Sequence, residues 1–291
     1  MRYLDGKATR EALTMSAAIA AMEAAFGDDI EVPARTLLGP SLFMSGRVGD
    51  QTGVKVVSVV PGKPFGIVAV FDEEGACRGL VDGPTLTAIR TAAGAGLATR
   101  LLARPDSRTM AMLGAGAMAY DQVMAVKEVR PIADVLVWSR DRANAEALGR
   151  RVGGSAVEHA DDAVAAADVV STATPATSPL FSPSAIRPGS HINAVGAFTP
   201  EMCEIPPEVV VEAMTIVDDL EASAHEAGDL LQAGRTPDGT MGDLLAGRHR
   251  GRSGPDEVTF FKSVGIASQD VAAGAAALSA AENMGIGIEM S

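Results

Sequence analysis

Residues 109–119 read TMAMLGAGAMA, a short apolar run that leads into a glycine-rich turn. The run predicts a buried strand, and the turn is expected to open a helix that extends to about Val129. Gly114 would make the tight turn, Gly116 would let the backbone approach a pyrophosphate, and Ala119 would permit close packing of helix on strand. The N–H groups at the helix start would then bind phosphate. The stretch therefore predicts a dinucleotide-binding turn, with an alanine-rich packing turn as the alternative.

Strand-like and helix-like segments alternate after this turn. Strands are predicted at residues 134–138, 168–172, 191–195 and 215–217, with helices at residues 142–151 and 263–278. Such alternation is typical of βαβ units, so a parallel sheet covered on both faces is expected.

The chain before Ser107 has a different pattern. Strands are predicted at residues 53–60, 66–71 and 77–81, a turn cluster at residues 61–64, and helices at residues 16–26 and from residues 82–84 onward. The β-branched runs separated by the Pro/Gly turn indicate antiparallel strands.

Composition excludes several classes of protein. The 291 residues are enough to bury a core without disulfides or a structural metal, and the net charge of −13 disfavours nucleic acid. The four histidines show no metal-ligand spacing, so no metal is expected. The distant Cys77 and Cys203 are expected to be reduced thiols of a cytoplasmic protein. Without a long apolar run or a signal-like N-terminus, no membrane association is expected.

The end of the second strand bears on the choice of cofactor. An NAD site would place an acid there, but Ser139 occupies that position, flanked by Arg140 and Arg142. A guanidinium can bind a 2′-phosphate through two hydrogen bonds, so NADP(H) is predicted. Solvated charges at a helix start are the alternative, and an Asp141 carboxylate turned to the ribose would restore NAD(H).

Three cations are candidates for substrate binding. Lys55 interrupts an apolar strand; facing inward it would need a partner and could act as an acid or base, while facing outward it would be an ordinary solvated lysine. Arg90 lies among small residues on the helix that opens near residue 84. Arg35 could equally be a surface charge. Cations beside a nicotinamide site suggest a carboxylate substrate.

Six segments, taken in order, resemble the ornithine cyclodeaminase/μ-crystallin family. They are residues 53–58 (GVKVVS), 80–93 (LVDGPTLTAIRTAA), 114–116 (GAG), 191–197 (HINAVGA), 226–229 (EAGD) and 261–267 (FKSVGIA). The resemblance implies an α/β protein in which a Rossmann dinucleotide-binding domain, residues 105–263, is inserted into an α+β substrate and dimerisation domain, residues 1–104 plus 264–291. It also implies a homodimer.

The resemblance further implies which residues form the site. Arg35, Lys55 and Arg90 would surround a substrate carboxylate, with Lys55 catalytic, and Glu226 and Ser263 would lie near the substrate. With the turn and strand-end residues above, the expected cofactor set is Thr91, Gly114, Gly116, Ala117, Met118, Ser139, Arg140, Arg142, Thr172, Ala173, Thr174, Ala194, Val195 and Gly196.

Phe198 marks a departure from the cyclising members of that family. Those members carry an Asp shortly after the Val-Gly turn, where it handles the substrate amine, whereas Phe198 cannot accept a proton. The pattern favours an NADPH-dependent ketimine reductase acting on Δ1-pyrroline-2-carboxylate or Δ1-piperideine-2-carboxylate, giving L-proline or L-pipecolate. Ornithine cyclodeaminase, an alanine or N-alkyl-amino-acid dehydrogenase, and a non-catalytic μ-crystallin-like binding protein are the alternatives. Met118 replaces a frequent Gln in the phosphate turn, with a modest expected effect.

Overall fold

The structure is a computed structural model that describes residues 1–60 and 65–290. The turn cluster predicted at residues 61–64 lies outside the described residues. The chain divides into two compact units: Met1–Gly94 together with the segment from Gly265 onward, here the terminal unit, and Ala95–Val264, here the middle unit. The expected boundary after residue 104 lies further along the chain than Gly94, and the domain limits stay a prediction.

The secondary structure elements follow in chain order. The first part contains β1 (Arg2–Leu4), α1 (Gly6–Ala12), α2 (Met15–Ala25), β2 (Ile30–Glu31), β3 (Thr36–Leu38), β4 (Ser41–Val48), β5 (Gln51–Ser58), β6 (Gly66–Phe71), β7 (Cys77–Asp82) and α3 (Gly83–Leu102). The middle part contains β8 (Thr109–Leu113), α4 (Ala119–Val129), β9 (Asp134–Trp138), α5 (Arg142–Val152), β10 (Ser155–Ala156), α6 (Ala160–Ala166), β11 (Val169–Thr172), a 3₁₀ turn (Pro183–Ala185) and β12 (His191–Ala194). The last part contains α7 (Pro207–Glu212), β13 (Met214–Val217), α8 (Leu220–Glu226), α9 (Gly228–Ala233), β14 (Gly239–Thr240), α10 (Met241–Leu245), β15 (Thr259–Lys262), α11 (Ala267–Met284) and β16 (Ile288–Glu289).

The terminal unit is built on a sheet in the order β16-β1-β7-β6-β5-β4-β2, with β3 paired to β4. Strands β4 to β7 are antiparallel, which confirms the pairing predicted for the three strands before residue 82. Helix α11 packs on β4, β5 and α2. Glycines allow the close approach, because a Cβ on Gly53 would lie 3.0 Å from the Val271 side chain and one on Gly46 would lie 3.0 Å from the Ala267 Cβ.

The middle unit is a parallel sheet in the order β10-β9-β8-β11-β12-β15-β13-β14, which confirms the predicted α/β Rossmann arrangement. Two clusters of buried apolar side chains accompany the sheet, one around Ile192 and Phe260 and one around Met112 and Val137. The chain enters at β8 and then extends to β9 on one side and later to β11 on the other. Strand order therefore switches between β8 and β11, which is where such sheets bind ligands.

The helix predicted at residues 263–278 is displaced. The helix begins at Ala267 and ends at Met284, because residues 263–266 connect it to the unpredicted strand β15, Thr259–Lys262. Gly265, with φ of +80°, turns the chain between the strand and the helix.

Candidate active site

Lys55 faces the interior of the terminal unit. Its side chain is 4% exposed, and its Nζ lies 2.8 Å from Oδ2 of Asp270 on α11. The inward orientation left open by the sequence is therefore the one found, and the lysine has the partner that burial requires.

Arg90 meets the same carboxylate. Its Nε lies 3.0 Å from Oδ1 of Asp270, and its Nη1 donates to Oε1 of Gln269 at 2.9 Å. That Gln269 oxygen also accepts from the N–H of Ile266, so the start of α11 is fixed by the arginine's partner. Asp270 thus bridges the lysine and the arginine.

Arg35 adds a third cation to this group. Its Nη2 donates to the carbonyl oxygen of Gly265 at 2.6 Å, and its charge is close enough to act on Lys55. Arg35, Lys55 and Arg90, which the family resemblance placed around a carboxylate, are brought together in the terminal unit. The cluster suits an anion.

Burial sets the charge states in this cluster. The pKa of Lys55 is lowered to about 8, chiefly by burial and also by the charges of Arg90 and Arg35, while the charge of Asp270 opposes this lowering. Burial opposes ionisation of Asp270, but the charges of Arg90 and Lys55 outweigh it and hold the pKa of that carboxyl below its usual range. Lys55 can therefore exchange a proton near neutral pH while Asp270 stays ionised.

The glycine-rich turn follows β8. Gly114 has φ of +106°, and a Cβ there would lie 2.8 Å from Cγ2 of Thr174. A Cβ on Gly116 would meet no atom of the described residues within 4 Å, so this face of the turn is open. Ala117 and Met118 lead into α4, whose N-terminus follows directly. The residues fit a dinucleotide pyrophosphate, which needs an open glycine face and free helix N–H groups.

Charged side chains surround the end of β9. Ser139 is half-buried, while Arg140 is exposed and has no ion-pair partner among the residues that the structure describes. Arg142 pairs with Glu146 at 3.0 Å on the surface of α5. Asp141 caps α5 by accepting from the N–H of Ala143 at 3.0 Å. The acid is thus engaged in the cap and the arginine remains available.

The loops after β11 and β12 are joined by a buried carboxylate that the sequence reasoning missed. Oε1 of Glu204 accepts from the N–H of Thr174 at 2.7 Å and from its hydroxyl at 2.9 Å. Oε2 accepts from the N–H groups of Gly196 at 2.8 Å and Ala197 at 3.1 Å. Burial raises the pKa of Glu204, against the opposing charge of Lys262.

A buried ion pair lies behind this carboxylate. Nζ of Lys262 is 2.8 Å from Oδ2 of Asp229, and both side chains are fully buried. Oδ1 of Asp229 accepts from the N–H groups of Glu204 and Ile205. Lys262 carries the same signal as Lys55, a lysine in an apolar strand, whereas no local spacing singles out Glu204 or Asp229.

The remaining expected residues are placed as follows. Thr91 follows Arg90 on α3 and is buried; Thr172 and Ala194 end their strands and are buried; Ala173 and Val195 continue into the loops. Ser263 is buried and donates to Oδ2 of Asp218 at 2.8 Å, and Glu226 ends α8 half-buried. Contacts of these side chains with a substrate or cofactor stay predictions.

His191 is buried in the middle unit and is held there by hydrogen bonds. Burial, together with the charge of Arg252, lowers the pKa of His191 to about 3, and its ring nitrogens pair with Thr259 and Asn193. Within residues 1–60 and 65–290, no group of three His, Cys, Asp or Glu side chains is arranged to hold a metal ion. Across the same residues, every helix is too short or too polar to cross a membrane.

Comparison with known proteins decides the family. The model of the ornithine cyclodeaminase/mu-crystallin family matches residues 47–283. The chain belongs to this family. It is 34% identical over 218 residues to the mouse ketimine reductase mu-crystallin, covering 74% of this chain and 69% of the relative. It is 36% identical over 244 residues to the Δ1-pyrroline-2-carboxylate reductase of Bacillus thuringiensis subsp. konkukian, covering 76% and 75%.

Solved structures of other proteins also resemble this chain over its whole length. The Thermococcus litoralis Δ1-pyrroline-2-carboxylate reductase, in complex with NADH and L-proline, matches with a TM-score of 0.93 and 30% identity over all of both chains. An archaeal alanine dehydrogenase dimer with bound NAD matches with a TM-score of 0.93 and 25% identity, over 100% of this chain and 99% of that one. The protein is therefore an NAD(P)-dependent oxidoreductase that acts on carbon–nitrogen bonds.

Proposed function

We propose that this protein is an NADPH-dependent ketimine reductase that reduces Δ1-pyrroline-2-carboxylate or Δ1-piperideine-2-carboxylate to L-proline or L-pipecolate. The observation that carries the proposal is the buried cluster of Lys55 and Arg90 on Asp270, with Arg35 beside it. The similarity to a pyrroline-2-carboxylate reductase over all of both chains supports this substrate class.

The arginines would bind the substrate carboxylate. Arg90 is held by Asp270 through Nε and by Gln269 through Nη1, so its orientation is fixed before substrate arrives. Arg35 is held through Nη2 by the carbonyl of Gly265. Fixed guanidinium groups lose little freedom on binding, and this lowers the cost of orienting the imine.

Lys55 would supply the proton. When bound, the reduced nicotinamide supplies a hydride to the imine carbon. The C=N π electrons then move to nitrogen, which takes a proton from the Lys55 ammonium and becomes the ring N–H of the product. Because its pKa is about 8, Lys55 is mostly protonated at neutral pH yet gives up the proton readily.

The preference for NADPH rests on the end of β9. Arg140 is exposed there, without an ion-pair partner among the described residues, and Asp141 is engaged in capping α5. A guanidinium without a partner suits a 2′-phosphate, and Ser139 in the position of the acid leaves room for it. Arg142, paired with Glu146, could reorient toward the same phosphate.

Homodimerisation and a cytoplasmic location complete the proposal. Leu38, Val59 and Phe65 are exposed by 69%, 46% and 74% at neighbouring ends of β3, β5 and β6, an apolar edge that a second copy would cover.

The cytoplasmic location rests on the cysteines. Cys77 and Cys203 are free, which is typical of a reducing compartment.

The test follows nicotinamide absorbance with each imine, using NADPH and NADH in parallel. We expect NADPH oxidation with at least one imine and slower oxidation of NADH. Equal rates with both cofactors would contradict the NADPH preference. Ammonia release from ornithine, with no turnover of either imine, would contradict the reductase and support ornithine cyclodeaminase instead. We do not expect this outcome, because the exposed Phe198 stands where the cyclising members carry an Asp.

A further inference from the structure

Thr174 lies where two turns of the middle unit meet. A Cβ on Gly196 would lie 2.3 Å from both the backbone N and O of Thr174, so the loops after β11 and β12 are in direct backbone contact. The Thr174 methyl lies 2.8 Å from the position of a Cβ on Gly114. The glycine-rich turn is thus packed against Thr174, and Thr174 against the Gly196 loop.

Glu204 is the group that joins these loops. Each oxygen of its carboxylate accepts two hydrogen bonds, one oxygen from Thr174 and the other from the N–H groups of Gly196 and Ala197. Hydrogen bonds to a charged acceptor are about twice as strong as neutral ones. All four donors belong to the two loops, so the carboxylate acts on loop geometry.

The backbone of Glu204 is itself fixed. Its N–H donates to Asp229 at 2.6 Å, and Asp229 is held by the fully buried Lys262 at the end of β15. Hydrogen bonds and an ion pair therefore connect the backbone of Glu204 to strand β15 of the sheet, and this fixes the position of its carboxylate.

We propose that Glu204 is a positioning residue for the cofactor: it locks the loops after β11 and β12 against the Gly114 turn, and the locked loops form one wall of the dinucleotide site. This inference rests on the cofactor-binding part of the proposed function. Glu204 touches no reacting atom in this account and acts through Thr174 and Gly196.

Glu204→Gln tests the proposal. The amide keeps the length of the side chain but turns one oxygen into an NH₂ group that faces N–H donors, so one loop loses its acceptor. We expect the dissociation constant for NADPH, measured by fluorescence titration, to rise at least about tenfold. The KM for NADPH should rise in parallel, while kcat at saturating NADPH changes little.

Asp168→Asn is the matched control. Asp168 accepts from the N–H groups of Arg108 and Thr109 and pairs with Arg104, but at the amino ends of β8 and β11. We expect this variant to lower the melting temperature, as Glu204→Gln does, while its dissociation constant for NADPH stays within about twofold of wild type. Equal weakening of NADPH binding in both variants would reduce Glu204 to a general stabilising role.

The remaining outcomes are distinct. If wild type binds NADPH and Glu204→Gln binds it equally well, the positioning role is wrong while the proposed function stands. If wild type binds neither NADPH nor NADH, the proposed function fails and this inference fails with it. Where Glu204→Gln does not fold, Glu204→Asp replaces it, since the shorter carboxylate keeps its charge but cannot reach both loops; unchanged affinity there would also overturn the proposal.

Discussion

Single residues decide the chemistry of the terminal unit, and Asp270 is the one on which the others depend. It holds Lys55 through Oδ2 and Arg90 through Oδ1, at 2.8 and 3.0 Å. Without Asp270, the buried side chains of Lys55 and Arg90 would face each other as two like charges. A buried charge is strongly destabilising unless an opposite charge pairs with it. Asp270 therefore keeps Lys55 charged enough to donate a proton and Arg90 oriented enough to bind a carboxylate.

Lys55 predicts a pH dependence. Since its pKa is lowered to about 8 and the protonated form is the acid, kcat/KM for imine reduction should be level below about pH 8 and fall above it. The reverse reaction, oxidation of the amino acid product, needs the neutral amine of Lys55 as a base, so its kcat/KM should rise through the same pH. Turnover by Lys55→Ala should be about 10²-fold lower than that of wild type, and its pH profile should lack the decrease above pH 8. Replacement of the exposed Lys7 by Ala should change neither the turnover nor the pH profile. Normal turnover in Lys55→Ala would reject its role.

Asp270→Asn should affect both stability and pH profile. The neutral amide leaves Lys55 beside Arg90 without compensation, so the pKa of Lys55 should fall and the alkaline limb should move to lower pH. Breaking the buried pair should cost about 3 kcal/mol of unfolding free energy in urea. Glu289→Gln, which breaks the exposed pair with Arg2, should cost less than about 1 kcal/mol. An unmoved limb in Asp270→Asn would contradict this account.

At the scale of elements, the parallel sheet of the middle unit could be predicted because its strands are short apolar runs bounded by turns. β9 and β8 have the expected limits. β15 was missed because Lys262 closes a four-residue run that merges with the alanine-rich helix after it. The partners of Lys262 and Lys55 could not be predicted, since Asp229 and Asp270 lie on distant elements and only the fold brings them together.

Gly116 gives a prediction at this scale. A Cβ there meets no atom of the described residues, so Gly116→Ala should keep or slightly raise the melting temperature. It should nevertheless weaken NADPH binding about tenfold or more, because the methyl group would take the space of the pyrophosphate. Gly254→Ala, also in open space in the middle unit, should have the same small effect on the melting temperature and leave NADPH binding unchanged. Unaltered binding in Gly116→Ala would place the cofactor elsewhere.

The whole chain carries a net charge of −13, which repels anions. An anionic substrate must therefore be bound by local cations, and the cluster of Arg35, Lys55 and Arg90 is where the terminal unit provides them. The family resemblance predicted these three residues; Lys55 and Arg90 lie in the resembling segments, and Arg35 lies outside them. The burial that lowers the pKa of Lys55 could be learned only from the structure.

Oligomerisation is a prediction at the same scale. Leu38 is 69% exposed in the single chain, at the end of β3. Leu38→Lys introduces a charge into this exposed apolar edge. We expect wild type to have the mass of a dimer in light scattering and Leu38→Lys to shift toward the monomer. The exposed Leu220→Lys in the middle unit serves as control and should remain dimeric. A monomeric wild type would exclude the homodimer.

The most direct test of the central claim compares two imines that differ only in the carboxylate, Δ1-pyrroline-2-carboxylate and Δ1-pyrroline, as substrates for NADPH oxidation. If Arg35 and Arg90 bind the carboxylate beside Lys55, kcat/KM should be at least about 10²-fold higher for the carboxylate, which is the effect of losing one charged bidentate contact. Equal kcat/KM for the two imines, or no reduction of the carboxylate, would contradict the account.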